Sequence, residues 1–207
     1  MAEQTIATAT DAEIDECVAL ISLAFVADPA ARWLYPDSRA YLANFPRFLK
    51  AFGGRAFTHG SAHLVKGSAA AFWLPPGAEH DEEALISLLQ STVPESGQET
   101  VFGVFEEMGR FHPEVPHWYL PLIGTDPALQ GRGHGSALLR HTLSSCDADR
   151  MPAYLEATSA RNVPFYRRHG FEAIGTIQLG ARRQSHRCCG SRASAALLKR
   201  RGRAACG

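Results

Sequence analysis

Three glycines alternate with larger residues in Gly131-Arg132-Gly133-His134-Gly135, between a strand-like run at 118–125 and a helix-like run that opens at Ser136. Glycine removes the side chains that would hold a ligand away from the main chain. A helix starting there aims its first unpaired N–H groups, and the positive end of its dipole, into the loop. The chemistry of such a loop is phosphate or pyrophosphate binding. A P-loop needs Lys followed by Ser or Thr after its last glycine, and here Gly135 is followed by Ser136-Ala137 with no lysine, which argues against NTP hydrolysis. A dinucleotide fingerprint wants Gly-x-Gly-x-x-Gly near the start of a βαβ unit. Counted from Gly131, Ser136 falls where the third glycine belongs, and the loop lies past the middle of the chain. That match is poor.

A third pattern fits better. Gln130-x-x-Gly133-x-Gly135, followed by Leu155-Glu156-x-x-Ser159, Asn162-x-Pro164-Phe165-Tyr166 and Gly170-Phe171, resembles the GNAT superfamily of acetyl-CoA-dependent N-acetyltransferases. Within it, the spacing is most similar to puromycin N-acetyltransferase and its relatives. The resemblance extends over residues 5–180 in layout and is specific from 118 to 171. It implies an α/β fold with a mixed central β-sheet flanked by helices. Two central parallel strands, at 118–125 and 154–158, splay at their C-terminal ends, with acetyl-CoA entering from one side and an amine from the other.

Acyl transfer from a thioester to an amine needs a neutral amine, a home for the oxyanion and a proton for the thiolate. The resemblance assigns the second to backbone N–H groups near Ile123, Gly124 and Thr125. It gives the cofactor contacts to Gln130, Gly131, Arg132, Gly133, His134, Gly135 and Ser136, and the pantetheine arm to Asn162. It makes Tyr166 the proton donor. A phenol near pKa 10 and a thiol near 8.5 differ by ~2 kcal/mol, so that transfer is mildly uphill in water; the bland alternative is an aromatic packed on the cofactor or in the core. Glu156 shares a strand face with Tyr154 and Thr158 and reads as the base or the ammonium holder, with His117 as competitor. A carboxylate near pKa 4.3 suits an α-amino group near 8 better than an alkylamine near 10. Tyr119 and Trp118 are candidates for the acceptor pocket, against core packing as the ordinary role of strand aromatics.

The elements that position these residues follow from periodicity. Strands are expected at 5–9, 62–65, 69–74, 118–125, 154–158 and 171–179, the second and third joined as a hairpin at Lys66-Gly67-Ser68. Helices are expected from Ile14 to Phe25, at 39–52 before Gly53-Gly54, around 82–91 and 99–109, from Ser136 to Cys146, and from a cap at Asn162 to Tyr166. Residues 25–36, with Asp28-Pro29 and Tyr35-Pro36, break into a turn and a short helix.

At 207 residues and 45% hydrophobic content the chain suits one soluble domain. No apolar run reaches a membrane span and the N-terminus carries no secretory pattern. The five cysteines form no Cys-x-x-Cys, and Cys17 and Cys146 read as reduced core thiols. These features give a cytoplasmic expectation. The nine histidines have no ligand spacing, so no metal is expected. Net charge is zero, yet residues 181–207 hold eight bases and no acid, which leaves −8 on the remainder. An acidic body suits a cationic amine, and Arg132, His134 and Arg140 suit the cofactor phosphates.

The expected layout is a single GNAT acetyltransferase domain at 1–180 and a basic tail at 181–207. Relatives return with a last strand beside the acceptor site, where this chain gives Arg182-Arg183-Gln184-Ser185-His186-Arg187-Cys188-Cys189. The favoured reading is a divergent end that replaces that strand imperfectly; the other is a tail for nucleic acid or an acidic partner. The leading function is acetyl transfer to a small-molecule primary amine. Protein or peptide N-acetylation and a non-catalytic CoA-binding module stay open, as does a homodimer.

Overall fold

The computed structural model describes residues 5–179 and 193–199. Seven strands form one sheet: β1 (Ala7–Thr8), β2 (Ala62–Val65), β3 (Ala69–Leu74), β4 (Trp118–Thr125), β5 (Ala153–Ala157), β6 (Glu172–Gln178) and β7 (Ala193–Lys199). The spatial order is β1-β2-β3-β4-β5-β7-β6, antiparallel at every pairing except β4 with β5. The helices are α1 (Ile14–Ala24), α2 (Pro29–Leu34), α3 (Ser38–Gly53), α4 (Arg55–Thr58), α5 (Glu82–Thr92), α6 (Glu95–Phe111), α7 (His134–Ala148) and α8 (Val163–Arg167).

The sheet separates two apolar layers. Along β3 the two-residue period sends Ala70, Phe72 and Leu74 into the layer shared with α1, α3, α5 and α6. Ala69, Ala71 and Trp73 go into the layer under α7, with Leu138, Leu139, Leu143 and Cys146. Both faces of β3 are therefore buried, which explains its unbroken apolar sequence.

β4 and β5 are the exception to regular pairing. Their parallel register holds only for Trp118 with Ala153 and Tyr119 with Tyr154; beyond that the strands diverge. On the other edge of β4, Phe72 pairs with Leu122 and Leu74 with Tyr119, so Leu120 and Pro121 together oppose the single residue Trp73. This is a β-bulge. Proline, which has no N–H for a ladder, is tolerated in an inner strand only at such a point. The extra residue also shifts the alternation by one, so that Tyr119 and Leu122 face the same layer.

The element boundaries expected from periodicity hold within a few residues along the described chain. As expected, α3 continues through Pro46, because its amphipathic face is fixed by a run of packed rings: Tyr41 on Phe45, Phe45 on Phe48 and Phe48 on Phe52, with centroids 4.7, 5.8 and 5.2 Å apart. The difference that matters concerns the chain end. A strand does form past residue 180, and β7 lies between β5 and β6, with Ala196 opposite Glu156 and Leu197 opposite Leu155. Its weak signal, three alanines and two leucines after a basic stretch, is short and poor in β-branched residues. Residues 180–192 and 200–207, which hold most of the basic run, lie outside the described residues.

Cys17 and Cys146 are buried free thiols, each pushed up to about 12 chiefly by burial, as expected of unreactive core cysteines. On β2, His63 is buried with Nδ1 unpartnered and its ring 4.6 Å from that of His141. Burial, then the His141 charge, lowers its pKa to about 4. An unfolded ring takes up its proton near pH 6.5, the folded one only near 4, so this contribution to stability is intact above 6.5 and is lost as pH falls towards 4. At pH 5 the loss is about 2 kcal/mol. Melting curves at pH 7.5 and pH 5 should show a smaller acid-induced drop in Tm for His63→Leu than for the native chain. Equal drops would show that this histidine does not carry the acid sensitivity.

Candidate active site

The parting of β4 from β5 opens a cavity of about 580 Å³. Its walls come from four places: β4 from Leu120 to Thr125, the glycine loop and first turn of α7, the segment from Thr158 to Tyr166, and Ala24, Phe25 and Asp28 after α1. The glycine loop has the conformation that its sequence demands. Gly131 and Gly133 adopt φ of +78° and +89°, the left-handed region that other residues enter at a cost. The first bond of α7 runs from Ala137 N–H to Gly133 O, so the helix itself offers no acceptor to the N–H groups of His134, Gly135 and Ser136. A β-carbon at Gly135 would lie 3.4 Å from Phe165 and 3.5 Å from Thr125 Oγ1, an ordinary contact. The fold therefore leaves room for a β-carbon at that position.

Gln130 donates through Nε2 to Thr125 O at 3.3 Å, tying the loop to the end of β4. Ser136 Oγ lies 3.1 Å from His169 Nε2, whose pKa is lowered by burial and then by the nearby charges of Arg140 and Arg168. The cationic side of the cavity is thus at the N-terminus of α7, where the helix dipole is also positive.

Gly124 has a further role that its sequence context did not reveal. A β-carbon there would stand 2.8 Å from Ala24 Cβ and 3.0 Å from Ile21 Cα. The glycine lets α1 lie directly on β4 and so fixes one wall of the cavity. Asn162, expected to cap a helix, makes no side-chain capping bond to α8; its side chain is free of that duty and lines the cavity. Tyr166 also lines it, buried to 7% exposure. Its phenol is driven well above the usual value by burial first and the Asp28 carboxylate second. Asp28 itself caps α2 by accepting from Ala30 and Ala31, and accepts from Thr158 Oγ1 at 2.6 Å.

Glu156 stands at the inner end. Its side chain is 6% exposed. Oε2 accepts from Tyr119 OH at 2.8 Å, while Oε1 has no aligned hydrogen-bond partner, although His112 Nε2 lies 3.4 Å away. His112 was not singled out from the sequence, where it stands alone before Pro113 without motif. It packs between Tyr119 and Tyr154, with centroids 4.6 and 4.5 Å from each. His117 stands apart from the cavity beside β4: its Nδ1 is 2.9 Å from Val115 O, and it borders a second cavity of about 600 Å³ with His112 and Tyr119. Burial lowers its pKa. Trp118 packs against the layer under α7, and Tyr119 faces the opposite layer as the partner of Glu156. Among the described residues no cluster of three or more His, Cys, Asp or Glu side chains could hold a metal, and no helix is long and apolar enough to cross a membrane.

Residues 95–173 match the model of the acetyltransferase (GNAT) domain. The fold is the GNAT fold. A crystal structure described as histone acetyltransferase HPA2 and related acetyltransferase, from Corynebacterium glutamicum, is 25% identical with a TM-score of 0.63, covering 97% of this chain and 98% of that one. The polyamine N-acetyltransferase of Drosophila melanogaster is 15% identical with a TM-score of 0.63, covering 95% and 99% of the two chains. Arabidopsis thaliana Naa50, solved with a bisubstrate analogue of CoA, is 17% identical with a TM-score of 0.50 over 94% and 97%. At 15% and 17% identity the likeness is one of fold. The matched domain is that of an acetyltransferase.

The packing at Gly124 is directly testable. Gly124→Ala should destabilise the chain by about 1–3 kcal/mol through overpacking against α1, read as a fall in Tm. The second change Ala24→Gly should recover part of that loss. No recovery would place the strain elsewhere.

Proposed function

We propose that this chain transfers an acetyl group from acetyl-CoA to the primary amine of a small molecule by direct attack on the thioester. The observation that carries the reading is the gap between β4 and β5, with a glycine loop and helix N-terminus at one end and a buried carboxylate at the other. The cradle suits a pyrophosphate because Gly131, Gly133 and Gly135 leave the main chain bare and α7 supplies unpaired N–H groups. Gln130, Arg132, His134 and Ser136 complete that end in this reading, and Asn162 meets the pantetheine arm. The closer kinship with puromycin N-acetyltransferase rests on the motif residues from Leu155 to Phe171 alone.

The donor supplies an acyl group already activated as a thioester. Backbone N–H groups of Ile123, Gly124 and Thr125 receive the carbonyl oxygen as it gains charge. Glu156 holds the incoming ammonium through Oε1, Tyr119 keeping the carboxylate aimed through Oε2. The amine nitrogen loses a proton to Glu156, directly or through a water, and bonds to the carbonyl carbon. As the carbon–sulfur bond breaks, the second proton of the amine nitrogen leaves the adduct and ends on the departing sulfur, to which the Tyr166 hydroxyl donates a hydrogen bond. Burial makes Tyr166 firmly protonated at neutral pH and a weaker acid than free phenol. Its help therefore comes from a hydrogen bond that tightens as charge builds on sulfur. His112, between Glu156 and the second cavity, offers the proton a path outwards, with His117 next in line at 5.6 Å between ring centroids. One domain at 1–180, extended by β7 from within the basic segment, contains all of these residues.

Thiol release on mixing acetyl-CoA with a panel of primary amines tests the reading. Tyr166→Phe should lower kcat by roughly 10²-fold and leave acetyl-CoA affinity close to native. Gly135→Ala should fold with near-native Tm, since the space for its β-carbon exists, yet lose at least about tenfold in acetyl-CoA affinity by calorimetry. Acetyl-CoA uptake without thiol release for any amine would instead indicate a non-catalytic CoA-binding module.

A further inference from the structure

A small compartment of about 100 Å³ adjoins the donor cavity and shares Phe25, Pro121, Glu156 and Thr158 with it. Its walls are apolar: the α3 stripe of Phe45, Phe48 and Phe52, with Phe105 and Met108 of α6 and Trp33 of α2. The rings form one connected set. Phe25 lies 5.8 Å from Phe45, Phe105 lies 6.4 and 6.1 Å from Phe48 and Phe52, and Phe52 meets Tyr119 edge-on at 6.3 Å. Among the described residues Glu156 is the only ionisable side chain in that lining; its Oε1 is buried without an aligned hydrogen-bond partner, with His112 Nε2 3.4 Å away.

A cation is the natural partner of that oxygen, and an apolar body is the natural filling of the walls around it. We propose that the acceptor is a primary amine carried on one compact apolar group, such as a branched butyl or pentyl chain or a benzyl group. The inference rests on the acetyltransferase reading above and adds the substrate class. The size follows from the volume, since an apolar cavity of ~150 Å³ admits benzene; at about 100 Å³ a phenyl ring enters with small adjustment of the partly buried Phe105 and Met108. The charge follows from the lining. Among the described residues a second ammonium group in this compartment would meet rings and a methionine, with no further carboxylate to pair it. Glu82 and Glu106 line a neighbouring space of about 320 Å³, beyond the wall made by Phe52, Phe105 and Met108.

Calorimetric binding of isoamylamine, benzylamine and spermidine, in the free protein and with CoA added, tests the proposal independently of turnover. Isoamylamine and benzylamine should bind at least tenfold more tightly than spermidine, and Glu156→Gln should remove most of their affinity. Phe105→Ala and Met108→Ala, which thin the wall to the larger space, should shift preference towards 4-phenylbutylamine relative to benzylamine by several-fold, a change that simple loss of stability would not produce. Equal or tighter binding of spermidine, or an unchanged preference in both wall variants, would overturn it. Thiol release in the same samples reports separately on the transfer reading: apolar amines that bind without being acetylated would contradict that reading and leave the substrate class standing.

Discussion

Two strands at the centre of this sheet stop hydrogen-bonding to each other after two residue pairs, and the rest of the site depends on that separation. Backbone N–H and C=O groups left without partners inside a protein are costly, so an unpaired stretch in the middle of a sheet needs water or a ligand to satisfy it. The chain reduces the cost at the point where the strands begin to part. Pro121 brings no N–H to lose, and the bulge at Leu120-Pro121 absorbs the mismatch against β3. Gly124 then admits α1 against the freed strand. The resulting wedge-shaped gap is wide where α7 begins and narrow where Tyr119 meets Tyr154.

The two ends of the gap differ in charge. At the wide end, a helix N-terminus, Arg140 and Arg168 make a cationic rim. At the narrow end, Glu156 is held in a nearly dry setting by Tyr119 on one oxygen, with His112 close to the other. A buried carboxylate persists only when something compensates its lost hydration. Here β7, through Ala196 opposite Glu156, closes the sheet beside it, while the aromatic stripe of α3 excludes water above it. An anionic ligand group and a cationic one are thus directed to opposite ends of the same space.

Much of this was legible in the amino-acid sequence, for identifiable reasons. The glycine loop is local: its alternation, the preceding strand and the following helix all lie within a score of residues. Glu156 and Tyr154 share a face by simple alternation. The apolar compartment was not legible, because Phe25, the α3 rings, Phe105 and Met108 come together only when α1, α3 and α6 pack on one face of the sheet. The spacing of Tyr41, Phe45, Phe48 and Phe52 was the available signal, and alone it says only that a helix has an aromatic side. His112 carries no local pattern, and its place beside Glu156 arises from the turn after α6. β7 was obscured by weak strand propensity after a basic stretch. Asn162 misled in a small way: its residue type suits a helix cap, whereas it makes no side-chain capping bond and lines the cavity.

Hydrogen exchange resolved to single amides tests the central claim most directly, because the account names which main-chain groups await a ligand. On addition of acetyl-CoA, the amides of His134, Gly135 and Ser136, together with those of β4 between Leu120 and Thr125 that face the gap, should slow strongly, while β1, β2 and the outer face of α5 stay unchanged. Unaltered exchange at those amides in protein that demonstrably binds acetyl-CoA, or protection concentrated elsewhere, would contradict the account.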